Sequence, residues 1–534
     1  MAKIVVQRSI LVFILGLLWV YLRSVYRDRL GAFGCFDDCF NIAGGYFIGL
    51  GKRLYTDFFF NHQPILAYIS WAIQTIYQPQ SIYELILRHR MALIYFFAVS
   101  DVLLTLRFGF AGFAFAFLYE TTKGYVFGER FLAEAMIVYP LVYLFGLSLR
   151  GSPATGGRRS NLTKIEPVIA AIATWFVVFS REPYVPLALF LFCVFLWRRK
   201  NRLLPIMVFG ALSIAAIGYH NPADYWWNVV VASARSVAGA EIQQYNLAGI
   251  GLVSIFLYPV QVFLGGAWNH FRLIEAALSL LLFMIVVMRL YRHRVDKQNA
   301  AARTASTLMI VVITLGLANI RQVAPGTVYY GAFHHMVWYA MVIAAVTYVI
   351  PAYPAVIHAK AGTQHFLGWF AFFGIVGYAI LSPTSYLHEK VDRTAEFQIG
   401  YSHYITQGEI IRRLSQSAQT MFVEEWDELI YWQARRPVAF RYTWWSSTLA
   451  GDPTYRDAKA AMWRDSPPDF YVGLCKGEDG LVTSLPEAVA PRYLRLTQNG
   501  KPACLFVKKQ TAKTISVDQW QSVRDFGIDT PEVI

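Results

Sequence analysis

The chain has 534 residues, of which 56% are hydrophobic, 16% aromatic and only 15% charged. Soluble domains carry roughly 25% charged residues, so the composition excludes an ordinary soluble protein as well as a disordered one. The apolar residues occur in long blocks, and blocks of about 17–25 apolar residues are typical of membrane spans. The number of blocks excludes a single-pass protein. The sequence therefore predicts an all-α polytopic membrane protein with a polar C-terminal part.

The net charge of +14 comes from 48 Lys and Arg against 34 Asp and Glu. Basic cytoplasmic loops and contact with anionic lipid account for such an excess, and we expect the lipid bilayer as a partner. The chain has no basic polar domain of the kind that binds nucleic acid, so no nucleic-acid partner is expected. Five cysteines are too few for a disulfide scaffold.

The apolar blocks predict about 11 transmembrane helices before residue 383. Ile4–Leu22 is read as an uncleaved signal anchor, because arginines rather than a small-residue cleavage site follow it. Met91–Leu118 is long and contains Gly109 and Gly112, so it suits two short helices, while Leu247–Ala267 is read as an interfacial or re-entrant segment. Basic clusters near residues 88–90, 150–164, 198–202 and 289–297 place the N-terminus in the cytoplasm and everything after Ser382 outside.

Two domains follow from this reading: a transmembrane module, 1–382, and an extracytoplasmic soluble α/β domain, 383–534. The second domain combines a predicted helix with strand-like runs. The predicted segments are the helix Ile405–Ser415 and the strands Thr420–Val423, Val438–Tyr442, Phe470–Leu474 and Ala503–Val507.

The acids of the C-terminal domain follow its first predicted strand, at Glu424, Glu425, Asp427 and Glu428. They are typical of a solvated helix start, so we expect no catalytic group in this domain. Instead it is expected to help bind the acceptor or cover the active site.

Two cysteine pairs could form disulfides. Cys475 and Cys504 each lie beside a strand-like run, where an oxidising compartment permits a disulfide. Cys35 and Cys39 are a rival pair, but four residues apart on one helix they would meet poorly.

The first outer loop, residues 23–63, holds the strongest chemical signal. Asp37 and Asp38 are adjacent carboxylates just beyond a span, which suits a general base, a ligand set for a divalent cation, or a solvated acid pair. Basic and other polar residues follow, and such a group at the bilayer surface suits recognition of a lipid phosphate. These residues are Lys52, Arg53, Tyr55, Asp57 and His62.

The order of these residues resembles a known family. Phe-Asp-Asp at 36–38, then Gly-x-x-Leu-Tyr-x-Asp-Phe-Phe-x-x-His-Gln-Pro at 51–64, is similar to the first outer loop of GT-C glycosyltransferases. These include protein O-mannosyltransferases, lipid A aminoarabinose transferases and bacterial relatives, in which the acidic pair is usually Asp-Glu rather than Asp-Asp. The resemblance covers this loop and the hydropathy profile to about Leu381, and is weaker beyond it.

The resemblance implies an inverting transferase, hexosyl or pentosyl, in the bacterial cytoplasmic membrane. Its donor is a polyprenyl-phosphate-linked sugar at the outer leaflet, and its acceptor a lipid, glycan or protein. Asp37 would deprotonate the acceptor, with Asp38 as its supporting partner or substitute, and Lys52, Arg53 and Arg181 would hold the phosphate. No cofactor is required, and a divalent cation is not expected.

Further candidates lie later in the chain. Glu129 and Arg130, with Glu134, resemble the family's second acidic site, although an interfacial ion pair would look the same. Arg181 and Glu182 form a hairpin tip that suits phosphate binding or a simple salt bridge. The remaining cavity candidates, including a Tyr/His cluster before a span, are Asp57, His62, Tyr330, His334 and His335. Asp101, inside an apolar block, is expected to pair with another helix.

Two other functions compete with this interpretation. A polysaccharide polymerase or ligase shares the lipid-linked donor and uses a large later outer loop, for which His220–Phe271 is a candidate. A lipid or sugar transporter would need paired ionisable groups near the midplane or broken helices in matched halves, and the sequence shows neither convincingly.

The topology makes a direct prediction. A reporter fused after Ile534 that works only outside the cytoplasm should be active, because the basic loops place the C-terminal domain outside. Activity of a reporter that works only in the cytoplasm would overturn the predicted orientation.

Overall fold

The computed structural model describes most of the chain in two compact units. The described residues are 2–29, 31–32, 34–35, 37–149, 162–197, 199, 201–233, 269–295, 299–319, 332–349, 362–424, 427–444, 449–476 and 482–530. The membrane unit comprises 1–29, 90–216 and 243–391, and the loop unit comprises 30–89, 217–242 and 392–534. The predicted segment Leu247–Ala267, Tyr330 and Glu425 lie outside the described residues.

Helices dominate the chain up to residue 381. In chain order they are α1 Ala2–Asp28, α2 Asp37–Gly49, α3 Ile65–Tyr77, α4 Ile82–Phe108, α5 Phe110–Thr122, α6 Ala133–Leu149, α7 Leu162–Val178, α8 Val185–Trp197, α9 Leu203–Gly218, α10 Pro222–Trp226, α11 His270–Val295, α12 Asn299–Ala318, α13 Ala332–Val349 and α14 Gly362–Leu381.

The described helices support a multi-pass membrane protein. Four stretches are long and apolar enough to cross a bilayer: Ile4–Asp28, Ile82–Phe108, His270–Met288 and Gly368–His388. A fifth is added if Leu203–Gly218 and Pro222–Ala232 form one broken span. Shorter apolar helices of 10–17 residues account for much of the rest. The predicted number of about 11 spans is not confirmed by these lengths and stays a prediction.

Two predictions about the membrane unit are confirmed. The block Met91–Leu118 divides into α4 and α5 at Gly109, whose φ of +66° interrupts the helix, although α4, with 27 residues, is not the short helix that was predicted. Asp101 pairs with another helix, since the Trp19 Nε1 of α1 donates to its Oδ2 over 3.1 Å. Charged side chains inside this apolar unit are therefore held by specific partners.

The C-terminal part of the loop unit is a small α/β domain, as predicted. Its helices and strands are α15 Arg393–Leu414, β1 Met421–Val423, α16 Leu429–Ala434, α17 Pro453–Asp465, β2 Phe470–Val472, β3 Cys475–Lys476, β4 Val482–Thr483, β5 Tyr493–Gln498, β6 Lys501–Lys508, α18 Lys509–Ala512 and α19 Val517–Ser522. The main sheet has the order β1-β2-β6-β5, with β1 parallel to β2 and the other pairs antiparallel. β3 and β4 form a separate two-stranded sheet.

The predicted segments of this domain match with two exceptions. Thr420–Val423, Phe470–Leu474 and Ala503–Val507 coincide with β1, β2 and β6. Val438–Tyr442 is not a strand, because only Val438 bridges to Met421. The predicted helix is longer than expected: it begins at Arg393, since the Asp392 side chain caps it by accepting from the amides of Thr394 and Ala395.

Of the acids after β1, Glu424 and Glu428 are not solvated as the sequence predicted, whereas the Asp427 side chain is 36% exposed. Glu424 is 5% exposed and Glu428 is 1% exposed. Glu424 is neutralised by Lys459, whose Nζ lies 2.6 Å from its Oε1. The prediction failed because later segments of the domain fold over these residues, which local sequence does not show.

Both cysteine pairs are bonded. The disulfide between Cys475 and Cys504 has a Cα–Cα distance of 5.8 Å and joins β3 to β6. Cys35 and Cys39 are also bonded, with a Cα–Cα distance of 5.3 Å, so the expectation that they would meet poorly was wrong. Cys35 precedes the first residue of α2, so the two cysteines do not lie on one helix.

Removing the Cys475–Cys504 disulfide should destabilise the C-terminal domain. The bond closes a loop with a sequence separation of 29, for which the chain-entropy argument predicts a loss of about 3–4 kcal/mol. The double variant Cys475→Ser/Cys504→Ser should therefore melt at a lower temperature, measured by thermal unfolding under non-reducing conditions. Cys193→Ser, which removes an exposed unpaired cysteine, is the control and should melt like the wild type. Equal midpoints for all three proteins would contradict the stabilising role.

Candidate active site

The first loop is built around close packing of α2 on α3 in the loop unit. A Cβ at Gly45 would lie 2.4 Å from the Ser70 Oγ and 2.5 Å from the Trp71 N, so only glycine allows this approach. The Ser70 Oγ lies 2.9 Å from the His89 Nε2. The small residues of α2 therefore fix the helix whose first turn carries the acidic pair.

Asp37 and Asp38 occupy the first turn of α2, where the helix dipole favours negative charge. The Asp37 side chain is 24% exposed, whereas Asp38 is completely buried. The Asp38 Oδ1 accepts from the Cys39 N over 3.1 Å. Consecutive side chains on a helix diverge, as predicted, so Asp37 is the acid that a reactant can reach.

Asp37 lies next to an imidazole that is itself oriented. The His62 Nε2 is 3.7 Å from the Asp37 Oδ2, and the His62 Nδ1 is 3.3 Å from the Asn41 Oδ1. The Phe40 ring meets the imidazole edge-on at 5.0 Å between centroids. The Tyr55 hydroxyl donates to the His62 carbonyl over 2.9 Å. These contacts hold the His62 ring beside the carboxylate.

His62 lies between two polar side chains of the first two turns of α2. These are the Asp37 carboxylate on its Nε2 side and the Asn41 amide on its Nδ1 side. The imidazole is therefore held where it can contact the candidate base.

The basic residues of the first loop lie near its surface. Arg53 is 74% exposed and its Nη2 lies 3.0 Å from the Asp57 Oδ1. This guanidinium lowers the pKa of Asp57 below its usual value through hydrogen bonds. Lys52 is half-buried. Of the predicted phosphate ligands, Arg53 is therefore paired with an acid of the same loop.

Other segments of the loop unit hold the loop from one side. The Tyr225 hydroxyl donates to the Gln63 Oε1 over 2.9 Å, and the Thr56 hydroxyl donates to the Asp224 Oδ2 over 2.8 Å. The Asn228 side chain accepts from the Phe60 N over 3.1 Å. Residues 224–228 therefore hold Thr56, Phe60 and Gln63, which belong to the motif at 51–64.

The C-terminal domain holds the same loop from another side. The Tyr401 hydroxyl donates to the Gly34 carbonyl over 2.8 Å, and the Phe59 N donates to the Arg441 carbonyl over 2.7 Å. The Trp444 ring stacks on Phe40 with 4.5 Å between centroids. Phe40 thus contacts both His62 and the C-terminal domain.

The remaining candidates belong to the membrane unit. The Arg181 Nε lies 2.8 Å from the Glu134 Oε1, and both side chains are at least 97% buried. The Glu182 Oε1 is 3.9 Å from the Arg181 Nη1 and is 30% exposed. The principal partner of Arg181 is therefore Glu134, not its neighbour at the hairpin tip.

Glu129 and Arg130 are also buried in the membrane unit, at 6% and 1% exposure. Burial raises the pKa of Glu129, although the charges of Arg130, Arg90 and Arg29 lower it. Glu129 and Arg130, which resemble the family's second acidic site, are therefore buried residues of opposite charge and not an exposed ion pair.

His334 and His335, in the first turn of α13, have different partners. The His335 Nε2 contacts the Glu275 Oε1, and Glu275 is buried. The Tyr184 hydroxyl donates to the His334 carbonyl over 3.3 Å. Within the described residues, no group of three or more His, Cys, Asp or Glu side chains is placed to hold a metal ion.

Two features of the site escaped the sequence reasoning. Asn41, the partner of His62, is four residues after Asp37, and this helical spacing could have placed them on one face. In the membrane unit the Lys123 Nζ lies 2.5 Å from the Glu120 Oε2, with both side chains fully buried. The sequence gives Glu-Thr-Thr-Lys directly after an apolar block, which reads as a surface loop.

Comparison with solved structures identifies the fold. No protein-family model matches the chain, and no curated protein matches its sequence. The chain matches ArnT from Cupriavidus metallidurans bound to undecaprenyl phosphate, with a TM-score of 0.50 and 10% identity over 92% of this chain and 97% of that one. The apo structure of the same protein gives a TM-score of 0.51, 10% identity and the same coverage. The GT-C resemblance that the first loop predicts is thus confirmed for the fold.

The buried pair Glu134–Arg181 gives a stability prediction. Glu134→Gln should destabilise the protein by about 3–5 kcal/mol, because it removes the buried carboxylate that lies 2.8 Å from the buried Arg181 guanidinium. Thermal unfolding of the purified protein measures this loss. Glu182→Gln is the matched control and should have a small effect, since Glu182 is more exposed and more distant. Equal midpoints for the two variants would contradict the assignment.

Proposed function

We propose that the chain is an inverting membrane glycosyltransferase that moves a sugar from a polyprenyl-phosphate donor to an acceptor. Two observations support this: the ArnT-like fold over 92% of the chain, and the reachable Asp37 in the first loop. The matched ArnT structure holds undecaprenyl phosphate, which is a donor carrier of the proposed class. The observation that carries the proposal is that Asp37, which lies beside His62, is accessible, whereas its neighbour Asp38 is buried.

Asp37 is the general base in this proposal. It takes the proton of the acceptor hydroxyl, which must come within about 2.6–3.2 Å of the carboxylate or be joined to it by one water. The acceptor oxygen forms a bond to the anomeric carbon while the bond from that carbon to the phosphate oxygen breaks. The electron pair leaves with the polyprenyl phosphate, and the configuration at the anomeric carbon is inverted.

His62 and Asn41 orient this base. The His62 Nε2 lies 3.7 Å from the Asp37 Oδ2, so the ring restricts where the carboxylate can turn. Asn41 fixes the ring through the other nitrogen. Asp38, which is buried, supports the first turn of α2 rather than contacting the acceptor.

Lys52, Arg53 and Arg181 are the proposed ligands of the donor phosphate. The Arg53–Asp57 pair is on the surface, where water screens it, so a phosphate oxygen can replace the carboxylate at little cost. Arg181 is held in place by Glu134, so Glu134 orients a cation rather than acting as a second base. Phosphate binding by guanidinium groups is favoured by their paired N–H donors.

The finer features of the predicted enzyme remain part of this proposal. They are the bacterial cytoplasmic membrane as location, a cytoplasmic N-terminus, an extracytoplasmic domain from residue 383, a hexosyl or pentosyl donor, a lipid, glycan or protein acceptor, and no required cofactor. Asp57, His62, Glu129, Arg130, Glu182, Tyr330, His334 and His335 are proposed cavity residues. Mass spectrometry of the cell-envelope glycans of a deletion strain would identify the sugar and the acceptor.

Asp37→Asn should lower the rate of sugar transfer by about 10²–10⁴-fold, because the amide cannot accept the acceptor's proton. Expression and donor binding should stay close to the wild type, since Asn keeps the size and polarity of Asp. Arg53→Ala is the comparison variant: it should weaken donor binding and spare the rate at saturating donor.

Asp38→Asn separates the two acids of the pair. A folded, inactive Asp38→Asn protein together with normal turnover by Asp37→Asn would move the base by one residue. Normal turnover in both single variants and in the double variant would refute the mechanism.

A further inference from the structure

Glu428 is a buried acid of the C-terminal domain whose carboxyl group has no partner in the described chain. It lies immediately before α16 and is 1% exposed. Neither of its two buried side-chain oxygens has a hydrogen-bond partner among the described residues. Buried carboxylates are normally paired or hydrogen-bonded, because an isolated buried charge is costly. The burial of Glu428 therefore needs an explanation. The burial of Glu424 needs none, because Glu424 is paired with Lys459.

The groups that act on Glu428 are acids and phenols. Asp427, its neighbour, and Asp37, in the first turn of α2, both place negative charge near it. Glu428 in turn acts on the phenols of Tyr404 in α15 and Tyr431 in α16. The elements that surround Glu428 thus contribute negative or neutral groups.

His403 of α15, which can carry positive charge, is paired with Asp427. The His403 Nε2 lies 3.4 Å from the Asp427 Oδ1. The charges of Asp427, Glu428 and Asp38 all act on the phenol of Tyr404 in the same helix. Several acids of the loop unit therefore act on α15.

Ionisation of Glu428 is opposed by this environment. Burial raises its pKa, and the negative charges of Asp427 and Asp37 raise it further. Its own backbone N–H lowers the pKa, but the net result is a value well above the usual range of a carboxyl group. A protonated carboxyl can lie beside Asp37 without adding a charge.

We propose that Glu428 is a positioning residue that stays protonated and uncharged, so that the C-terminal domain packs on the first loop without placing another charge beside Asp37. Neither oxygen of Glu428 is accessible, so it acts through Asp37 and not on the substrate. Only the catalytic consequence rests on the proposed function; the protonation state does not. The domain thereby influences the site while contributing no group that touches the acceptor.

The proposal predicts how stability changes with pH. A group that holds its proton more tightly in the folded state than in the unfolded state makes stability fall as pH rises above the unfolded pKa. Glu428→Gln has nearly the same shape and cannot ionise, so it lacks this contribution. At acidic pH the two proteins should melt at similar temperatures, and at neutral and alkaline pH the variant should melt higher.

Thermal unfolding of the full-length protein in detergent, from about pH 5 to about pH 9, tests this. Glu424→Gln is the matched control, because Glu424 is a buried acid of the same domain that is ion-paired with Lys459 over 2.6 Å. Glu424→Gln should lower the midpoint, because it removes the carboxylate that pairs with Lys459, and this change is opposite in sign to that of Glu428→Gln. Glu428→Leu is a second variant, since an uncharged, unpartnered carboxyl tolerates an apolar side chain of similar size.

Two results would overturn the proposal. One is that Glu428→Gln and Glu428→Leu both melt below the wild type at alkaline pH. The other is that the Glu428→Gln midpoint runs parallel to that of the wild type at every pH. The first result would show that the fold stabilises an ionised Glu428, and the second that folding does not change how tightly Glu428 holds its proton.

The catalytic consequence has its own readout. Because Glu428 is already uncharged in the wild type, Glu428→Gln should leave the acidic limb of the pH–rate profile, where Asp37 takes up its proton, in place. A shift of that limb to lower pH would show that Glu428 places a negative charge near Asp37 and would contradict the proposal. If the wild type transfers no sugar from any polyprenyl-phosphate donor, the proposed function fails, while the unfolding comparison still decides the state of Glu428.

Discussion

The packing of the C-terminal domain on the first loop is the interaction on which the site depends. The described residues between α1 and α2, which are 29, 31–32 and 34–35, form no helix or strand, so distant partners help to hold this part of the loop. Tyr401 binds the Gly34 carbonyl, Arg441 accepts from the Phe59 amide, and Trp444 stacks on Phe40. Because Phe40 also contacts His62, the same packing orients the imidazole beside Asp37. Contacts between residues far apart in the chain thus place His62 beside Asp37.

A second constraint acts in the membrane unit, where each buried charge needs a partner. Glu134 neutralises Arg181, Glu120 neutralises Lys123, and Glu166 contacts both Arg107 and Arg199. Removing one partner of such a pair costs more than removing both, because the remaining charge stays buried. A charged residue in an apolar unit therefore indicates first an ion pair that the fold requires, and a functional role has to be argued separately. A role for Arg181 in phosphate binding has to be compatible with its pairing to Glu134.

The features that the sequence predicted correctly are those determined by residues close together in the chain. Long apolar blocks gave the helical membrane class, Gly109 marked the break between α4 and α5, and three strands of the C-terminal sheet were found. β5 was missed, although Asn499 and Gly500 have the positive φ values of a tight hairpin turn between β5 and β6. That turn signal was present in the sequence.

Features set by distant residues were not predictable in the same way. The burial of Glu424 and Glu428 and the irregular path of 438–442 depend on where other segments fold. The Cys35–Cys39 bond was missed for a local reason, since α2 begins only at Asp37. The acidic pair Asp37–Asp38 illustrates both what the sequence predicts and what it does not predict. The sequence located it and favoured Asp37, but the burial of Asp38 and the role of Asn41 needed the fold.

The stereochemistry of the transferred sugar tests the central claim most directly. The purified protein, reconstituted in lipid, would be given a panel of polyprenyl-phosphate sugars of known anomeric configuration, and the product would be analysed by NMR spectroscopy. A single displacement assisted by a base predicts an inverted anomeric configuration and one polyprenyl phosphate released for each sugar transferred. A product of retained configuration would contradict the account, because it would require a nucleophile in place of the base.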